Sequence, residues 1–134
     1  MELTAHTAPV ISVDYSHSQA GVLATGSHDK TVRLWDVRDP HTHRTIISPD
    51  SVCSVRFNPS EEEHTLLFGS ANAVTYYYDI RNLDMPVSVF SEHTGAVCAV
   101  AFHLHNEFVT QSVDNTIKLW NTSNPSQSVR TYQG

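Results

Sequence analysis

The chain has 134 residues, 40% of them hydrophobic and 16% charged, a globular composition long enough for one ordinary domain with its own core. Its formal net charge of −6, with 8 Lys and Arg against 14 Asp and Glu, argues against the non-specific nucleic-acid binding that rests on basic contacts to phosphate. No apolar run approaches the roughly 20 residues of a membrane span, and the polar residues after Met1 do not form a signal peptide, so a nuclear or cytoplasmic setting is expected.

Met1 to Thr7 is polar and too short for a full outer strand, and leads through His6 and Pro9 into a first predicted strand, Val10 to Tyr15. Ser16 to Gly21 reads as a turn, Val22 to Gly26 as a second strand and Ser27 to Lys30 as a tight turn. Thr31 to Asp36 follows as a third strand, with Val32 and Leu34 alternating with polar positions. Asp39-Pro40-His41 reads as loop, and Arg44 to Ser48 completes four strands. A second unit repeats the order at Val52–Phe57, Thr65–Gly69, Val74–Asp79 and Val87–Phe90, with Glu61-Glu62-Glu63 in a solvated turn. The third runs Val97–Phe102, Glu107–Gln111, Thr116–Trp120 and Ser128–Tyr132.

The units keep a fixed period. Trp35 to Tyr78 is 43 residues and Tyr78 to Trp120 is 42, while the openings VISVDY, VCSVRF and VCAVAF start at Val10, Val52 and Val97. A repeat of about 40–45 residues, made of short strands and ending in Trp-Asp, is the signature of a β-propeller blade. The expected fold is all-β, a partial propeller of three four-stranded antiparallel blades at about 10–48, 52–91 and 97–133. Closed propellers have roughly 4–8 blades, and an open arc would leave two apolar blade faces in water. The remaining blades are therefore expected from a longer chain or from association.

Alignment on the aromatic residues puts His6, Thr25, Asp29 and Trp35 in register with His93, Thr110, Asp114 and Trp120. A hydroxyl, an imidazole and a carboxylate are the parts of an activated nucleophile. An active site is needed once rather than once per repeat, so the expectation is a structural hydrogen-bond network and no catalytic residue. The second unit has Ser48, Phe68, Asn72 and Tyr78 at these places and is expected to rely on apolar packing around Tyr76, Tyr77 and Tyr78. His41-x-His43 and His103-x-His105 fall in predicted loops without a Cys or acidic cluster at zinc-like spacing, so neither metal nor cofactor is expected. Gly26 and Gly69 read as strand-end positions, not as a phosphate-binding loop. Cys53 and Cys98, equivalent positions in apolar strands, read as buried thiols in a reducing compartment.

The repeat pattern is that of the WD40 family, and the middle of the chain is more specific. From Val52 to Val97, FGSA, YYDIRN, a downstream Pro and VF-x-x-H-x-x-AV resemble the propeller of the constitutive-photomorphogenesis E3 ubiquitin ligases and their suppressor-of-phytochrome partners. The likeness continues through Asp114-Asn115-Thr116 and Leu119-Trp120 to Arg130-Thr131-Tyr132-Gln133-Gly134, and VTYYYDIRN leans toward the suppressor branch. The resemblance implies a non-enzymatic substrate-receptor or scaffold propeller of a ubiquitin ligase complex, holding acidic Val-Pro-containing peptides on the ring face. Ubiquitin transfer in that family is promoted through a RING domain joined by a coiled coil, and neither pattern occurs in this chain. At the family's peptide site, Ile11 stands in the place of a Trp and Gly95 in the place of a Lys. Loss of an aromatic platform and a cation implies weakened binding of such peptides.

Trp35-Asp36-Val37-Arg38, with Asp29 six residues before Trp35, resembles the box by which WD40 receptors dock on the adaptor of cullin-RING ligases; Tyr78-Asp79-Ile80-Arg81 is its Tyr variant. Arg38 and Arg81 would either offer a guanidinium fork to that partner or pair locally, Arg38 with Asp36 or Asp39. The competing expectation is a generic WD40 scaffold in signalling, chromatin or trafficking, or a truncated propeller without independent function.

Overall fold

The structure is a computed structural model that describes residues 5–134, with the side chains of residues 40–42 outside the description. The described residues form strands and turns with no helix. In chain order the strands are β1 (Val10–Tyr15), β2 (Val22–Ser27), β3 (Thr31–Asp36), β4 (Asp39–Ile47), β5 (Val52–Phe57), β6 (Thr65–Ser70), β7 (Thr75–Asp79), β8 (Ser88–Phe90), β9 (Val97–Leu104), β10 (Glu107–Ser112), β11 (Thr116–Asn121) and β12 (Arg130–Gln133). They pair antiparallel and in sequence order into three four-stranded sheets, β1–β4, β5–β8 and β9–β12. This is the all-β, partial-propeller architecture the repeat predicts.

Alternation along the strands decides what each sheet face meets. Val22, Ala24, Val32, Leu34 and Ile46 of the first sheet pack on Val52, Val55, Phe57, Leu66, Phe68, Tyr78 and Ile80 of the second. The residues one step out of phase in the second sheet, Leu67 and Tyr77, join Phe90 against Val97, Val100, Phe108 and Trp120 of the third. The second sheet is thus a layer covered on both apolar faces, which is why β6 is buried along its whole length; β2 is equally buried, with the second sheet on one face and the His6 and Trp35 side chains meeting Thr25 on the other. Two glycines let the layers close: a Cβ on Gly26 would lie 2.6 Å from Val52 Cγ1, and one on Gly69 would lie 2.7 Å from Val97 Cγ1. A larger residue at either position would push the valine of the next sheet away.

Polar bonds cross the same seams. Ser12 Oγ accepts from Val55 N at 3.2 Å, Asp14 Oδ2 from Phe57 N at 2.8 Å, and Ser54 Oγ from Val100 N at 3.4 Å. Further out, Arg44 donates to Ile80 O at 2.6 Å and Asn58 Nδ2 to His105 O at 2.7 Å.

The β2–β3, β6–β7 and β10–β11 turns share one conformation, with Lys30, Ala73 and Asn115 at φ of 69°, 74° and 71°. Asn is at home in this left-handed region, whereas a Cβ-bearing Ala is not.

Three expectations from the sequence are corrected. β4 begins at Asp39 instead of following a loop, because the two-residue turn at Val37-Arg38 sets Asp36 opposite Asp39 while Trp35 already pairs with His43. The register shifts between these two pairs, as at a β-bulge. His43 and His103 accordingly lie in strands β4 and β9, not in loops. The cysteines are not buried: Cys53 is half-buried and Cys98 exposed, since the side of the inner strands on which they lie is not the side that packs between sheets.

Candidate protein-interaction site

The antiparallel order places the chemistry at two opposite ends of the sheets. The β2–β3 turn and the segment leading into β1 lie at one end, and the β1–β2 and β3–β4 turns lie at the other. Asp29 is at the first end, just before β3, and Asp36 at the second, as the last residue of that six-residue strand.

At the first end, the predicted residues meet in two equivalent networks. In the first sheet His6 Nδ1 lies 2.8 Å from Asp29 Oδ2, His6 Nε2 lies 2.6 Å from Thr25 Oγ1, and Trp35 Nε1 donates to Thr25 Oγ1 at 2.8 Å. In the third sheet the matching distances are 2.9 Å for His93–Asp114, 2.7 Å for His93–Thr110 and 3.0 Å for Trp120–Thr110. One proton arrangement satisfies every atom: the indole donates to the hydroxyl, the hydroxyl to Nε2, and Nδ1–H to the carboxylate. The networks include residues the alignment passed over. Thr31 and Thr116 donate their hydroxyls to Asp29 Oδ1 and Asp114 Oδ1, and the amides of Thr7 and Thr94 close on the other carboxylate oxygens. The signal was present as Asp-x-Thr, repeated at Asp29-Lys30-Thr31 and Asp114-Asn115-Thr116.

Burial alone would raise the Asp29 pKa, but the hydrogen bonds from Thr31, His6 and Thr7 outweigh it and bring the carboxyl down to about 2. Asp114 is held well below the ordinary carboxylate range by the same balance, with Thr116 and His93 as the main donors against burial. The hydroxyl that would have to be a nucleophile is enclosed, Thr110 being 0% exposed. The second sheet substitutes rings for this network: Phe68 stacks on Tyr76 and Tyr78, Asn72 Nδ2 donates to the Tyr76 hydroxyl, and Ser48 meets Ser70 at 3.5 Å.

At the opposite end, two guanidinium forks stand out from adjacent sheets. Arg38 donates Nε and Nη2 to Asp36 at 3.0 and 2.9 Å, and Arg81 donates the same pair to Asp79 at 3.0 and 2.7 Å. Both arginine side chains remain open to solvent, at 71% and 68%. The guanidinium hydrogen bond is the largest factor in lowering each aspartate's pKa, so both partners stay charged. Of the two expected alternatives the structure has local pairing, Arg38 with Asp36 and, in the same way, Arg81 with Asp79. The third sheet carries Asn121 in this place, whose Oδ1 accepts from Ser123. The adaptor-docking set is therefore divided: Asp29 and Trp35 lie in the buried network, Tyr78 is buried against Phe68, and Asp36, Arg38, Asp79 and Arg81 form the exposed part.

Ile11 is 45% exposed on β1, while Gly95 lies before β9 with its carbonyl accepting from Ser112 Oγ at 2.8 Å. Ile11 thus lies on the inner strand of the first sheet and Gly95 on the segment that enters the third. A Cβ on Gly95 would come within 2.7 Å of Val113 Cγ2, so a longer side chain there requires Val113 to move. Cys53 has its thiol pKa raised by burial first, then by the neighbouring Cys98 and Asp50. No group of three or more His, Cys, Asp or Glu able to hold a metal ion occurs among the described residues.

The profile of the WD domain, G-beta repeat family matches residues 1–36 and 84–121, together more than half of the chain. The chain belongs to the WD40 family. Its WD40 units are 39% identical over 122 residues to Protein SPA1-RELATED 4 of Arabidopsis thaliana, covering 91% of this chain and 15% of that protein. They are 35% identical over 134 residues to the E3 ubiquitin-protein ligase COP1 of Arabidopsis thaliana, covering all of this chain and 20% of the ligase. The WD repeat-containing protein RUP1 of the same plant is 36% identical over 127 residues, with 92% of this chain and 33% of RUP1 covered. The WD40 chain thus spans a third or less of these relatives' lengths, and its likeness to the COP1 and SPA1-related group agrees with the YYDIRN segment of the second blade.

Proposed function

We propose that this chain is a non-enzymatic protein-interaction module that serves as a substrate-receptor or scaffold propeller of a ubiquitin ligase complex in the nucleus or cytoplasm. The observation that carries this reading is the pair of exposed forks, Asp36–Arg38 and Asp79–Arg81, repeated at the same end of adjacent blades. A guanidinium already oriented by its own aspartate loses little freedom when its outward N–H groups meet a partner's carbonyls or carboxylates. The partner class proposed, the adaptor of a cullin-RING ligase, rests on the resemblance of Trp35-Asp36-Val37-Arg38 to a docking box, and similarity to an E3 ubiquitin-protein ligase supports a ubiquitin-ligase setting.

The test is adaptor binding by biolayer interferometry, with wild type, Arg38→Ala, Arg81→Ala and the double variant. The expected result is a graded loss with an unchanged melting temperature, because the forks lie outside the core. Binding unaffected by the double variant would overturn adaptor docking. Acidic Val-Pro peptides are expected to bind weakly, since Ile11 and Gly95 supply neither the ring nor the cation such a ligand would use; Ile11→Trp should strengthen the interaction. Partner recovery from cells that lacks every ubiquitin component would favour the generic scaffold instead.

A further inference from the structure

Each inner strand carries one residue that its ladder skips. In β5 the pairing with β6 passes from Val52 opposite Ser70 to Ser54 opposite Gly69, and in β9 the pairing with β10 passes from Val97 opposite Ser112 to Ala99 opposite Gln111. Cys53 and Cys98 are the extra residues at these two register shifts, and such a bulge re-aims a side chain out of the strand's alternation. The effect is plain in β5, which has a blade on either side: Cys53 is only half-buried between Val52 and Ser54, which are 0% and 5% exposed. Both thiols turn the same way, Cys53 Sγ donating to Ser51 O at 4.0 Å and Cys98 Sγ to Ala96 O at 3.7 Å.

The seam between the second and third blades brings the two cysteines together. Ser54, next to Cys53, pairs with Gly69, on which a Cβ would lie 3.0 Å from Val97 O, and Ser54 Oγ accepts from Val100 N at 3.4 Å. Ser54 therefore lies against the stretch of β9 from Val97 to Val100, and its neighbour Cys53 stands beside Cys98 across the seam. The thiol pKa of Cys53, raised by burial first and then by Cys98, agrees with that placement.

We propose that Cys53 and Cys98 form a reversible oxidation site, closing a disulfide across the seam between the second and third blades in the presence of a peroxide. The Cys98 thiolate attacks one oxygen of hydrogen peroxide; the O–O bond breaks, and a sulfenic acid and hydroxide form. The Cys53 thiolate then attacks the Cys98 sulfur, so that the S–S bond forms, the S–O bond breaks and a second hydroxide leaves. The two thiol protons end in two waters: the thiols lose two electrons and one peroxide gains them. Cys53, the more enclosed and the less readily ionised of the pair, suits the resolving role. Because both residues are already outside their ladders, the strands can draw together there without breaking a paired position. Where glutathione keeps thiols reduced, such a bond is transient and acts as a sensor. It lies at the end of the sheets opposite the Asp36–Arg38 and Asp79–Arg81 forks, so it fixes two blades to each other without touching them.

A hydrogen peroxide titration of the purified protein tests this, with remaining thiols blocked by iodoacetamide, peptides mapped by mass spectrometry and chains separated on non-reducing gels. The expected product is a single chain two hydrogens lighter, in which the Cys53 and Cys98 peptides are joined and which reduced glutathione reopens. Cys53→Ser should stop the reaction at the Cys98 sulfenic acid, trapped with dimedone, and Cys98→Ser should leave Cys53 reduced at the same dose. Three results would overturn the proposal: sulfinic or sulfonic acid on Cys98 with Cys53 still alkylated, a disulfide between two chains as the main product, or a bond that glutathione does not reopen. All three are read on the wild-type protein, so the outcome does not depend on whether a serine variant folds.

Discussion

Phe68 lies on Tyr78 with ring centroids 5.8 Å apart and planes 20° from parallel, in the place where Thr110 takes a hydrogen bond from Trp120 in the next blade. Tyr76 also stacks on Phe68, with centroids 4.9 Å apart. The middle blade thus holds its centre by ring burial where its neighbours use a polar chain. Phe68→Thr, which makes the residue match its counterparts, should destabilise the protein by about 3 kcal/mol, since no indole or imidazole stands ready to meet the new hydroxyl. Urea unfolding measures this; a cost near zero would mean that the aromatic stack contributes little.

Acid sensitivity should come from the carboxylates of the two polar networks. Asp29 has a folded pKa of about 2, below its ordinary value of 3.8. A depressed folded pKa stabilises the native state above the unfolded pKa, and that contribution fades as pH falls from roughly 5 toward the folded value. With Asp29 almost fully enclosed, the linked stabilisation is on the order of 2 kcal/mol. Asp29→Asn should lower the urea midpoint at neutral pH and flatten its decline on acidification, and an unchanged acid limb would remove Asp29 from that role.

The turns predict a stabilising substitution. Ala73 has a φ of 74°, and its equivalent in the third blade is Asn115 at 71°. Ala73→Asn should stabilise by about 0.5 kcal/mol, because Asn tolerates the left-handed region better and does not add the chain entropy of Gly. Thermal melting of the two proteins side by side would register the shift, and a lower midpoint for the variant would contradict it.

The two thiols should react at different rates. Cys98 is exposed, while Cys53 is half-buried with a pKa raised chiefly by burial, so less of it is thiolate at mildly alkaline pH. Limited alkylation followed by peptide mass spectrometry should find Cys98 labelled well before Cys53. The reverse order would mean that access to the inner strands differs from the structure.

The strands were legible because each repeats at a fixed spacing and alternates in the period its two buried faces demand. His6, Asp29, Thr25 and Trp35 were legible as a set because they recur with His93, Asp114, Thr110 and Trp120. Thr31 and Thr116 were missed although they recur as well, since a threonine opening a strand is accounted for by strand propensity alone. The start of β4 was hidden, and the choice of Asp36 over Asp39 as the partner of Arg38 left open, for a common reason: both depend on the two-residue turn after Asp36, where the carboxylate accepts the Arg38 amide at 2.9 Å as well as its guanidinium. The exposure of Cys98 could not be read from an apolar strand, because which side of an inner strand faces a neighbour depends on how the blades stack.

The amides held by Ser12, Asp14 and Ser54 have a further consequence. An inner strand is the edge of its sheet, and an uncovered row of edge N–H groups is a template onto which a foreign strand can add. The preceding blade covers Val55, Phe57 and Val100 with side-chain oxygens, so the edges of β5 and β9 are blunted by a neighbour and need no charges of their own. Substitutions at Ser12 or Asp14 should therefore be felt first as a tendency toward fibrous aggregation on storage, before any loss of folded structure.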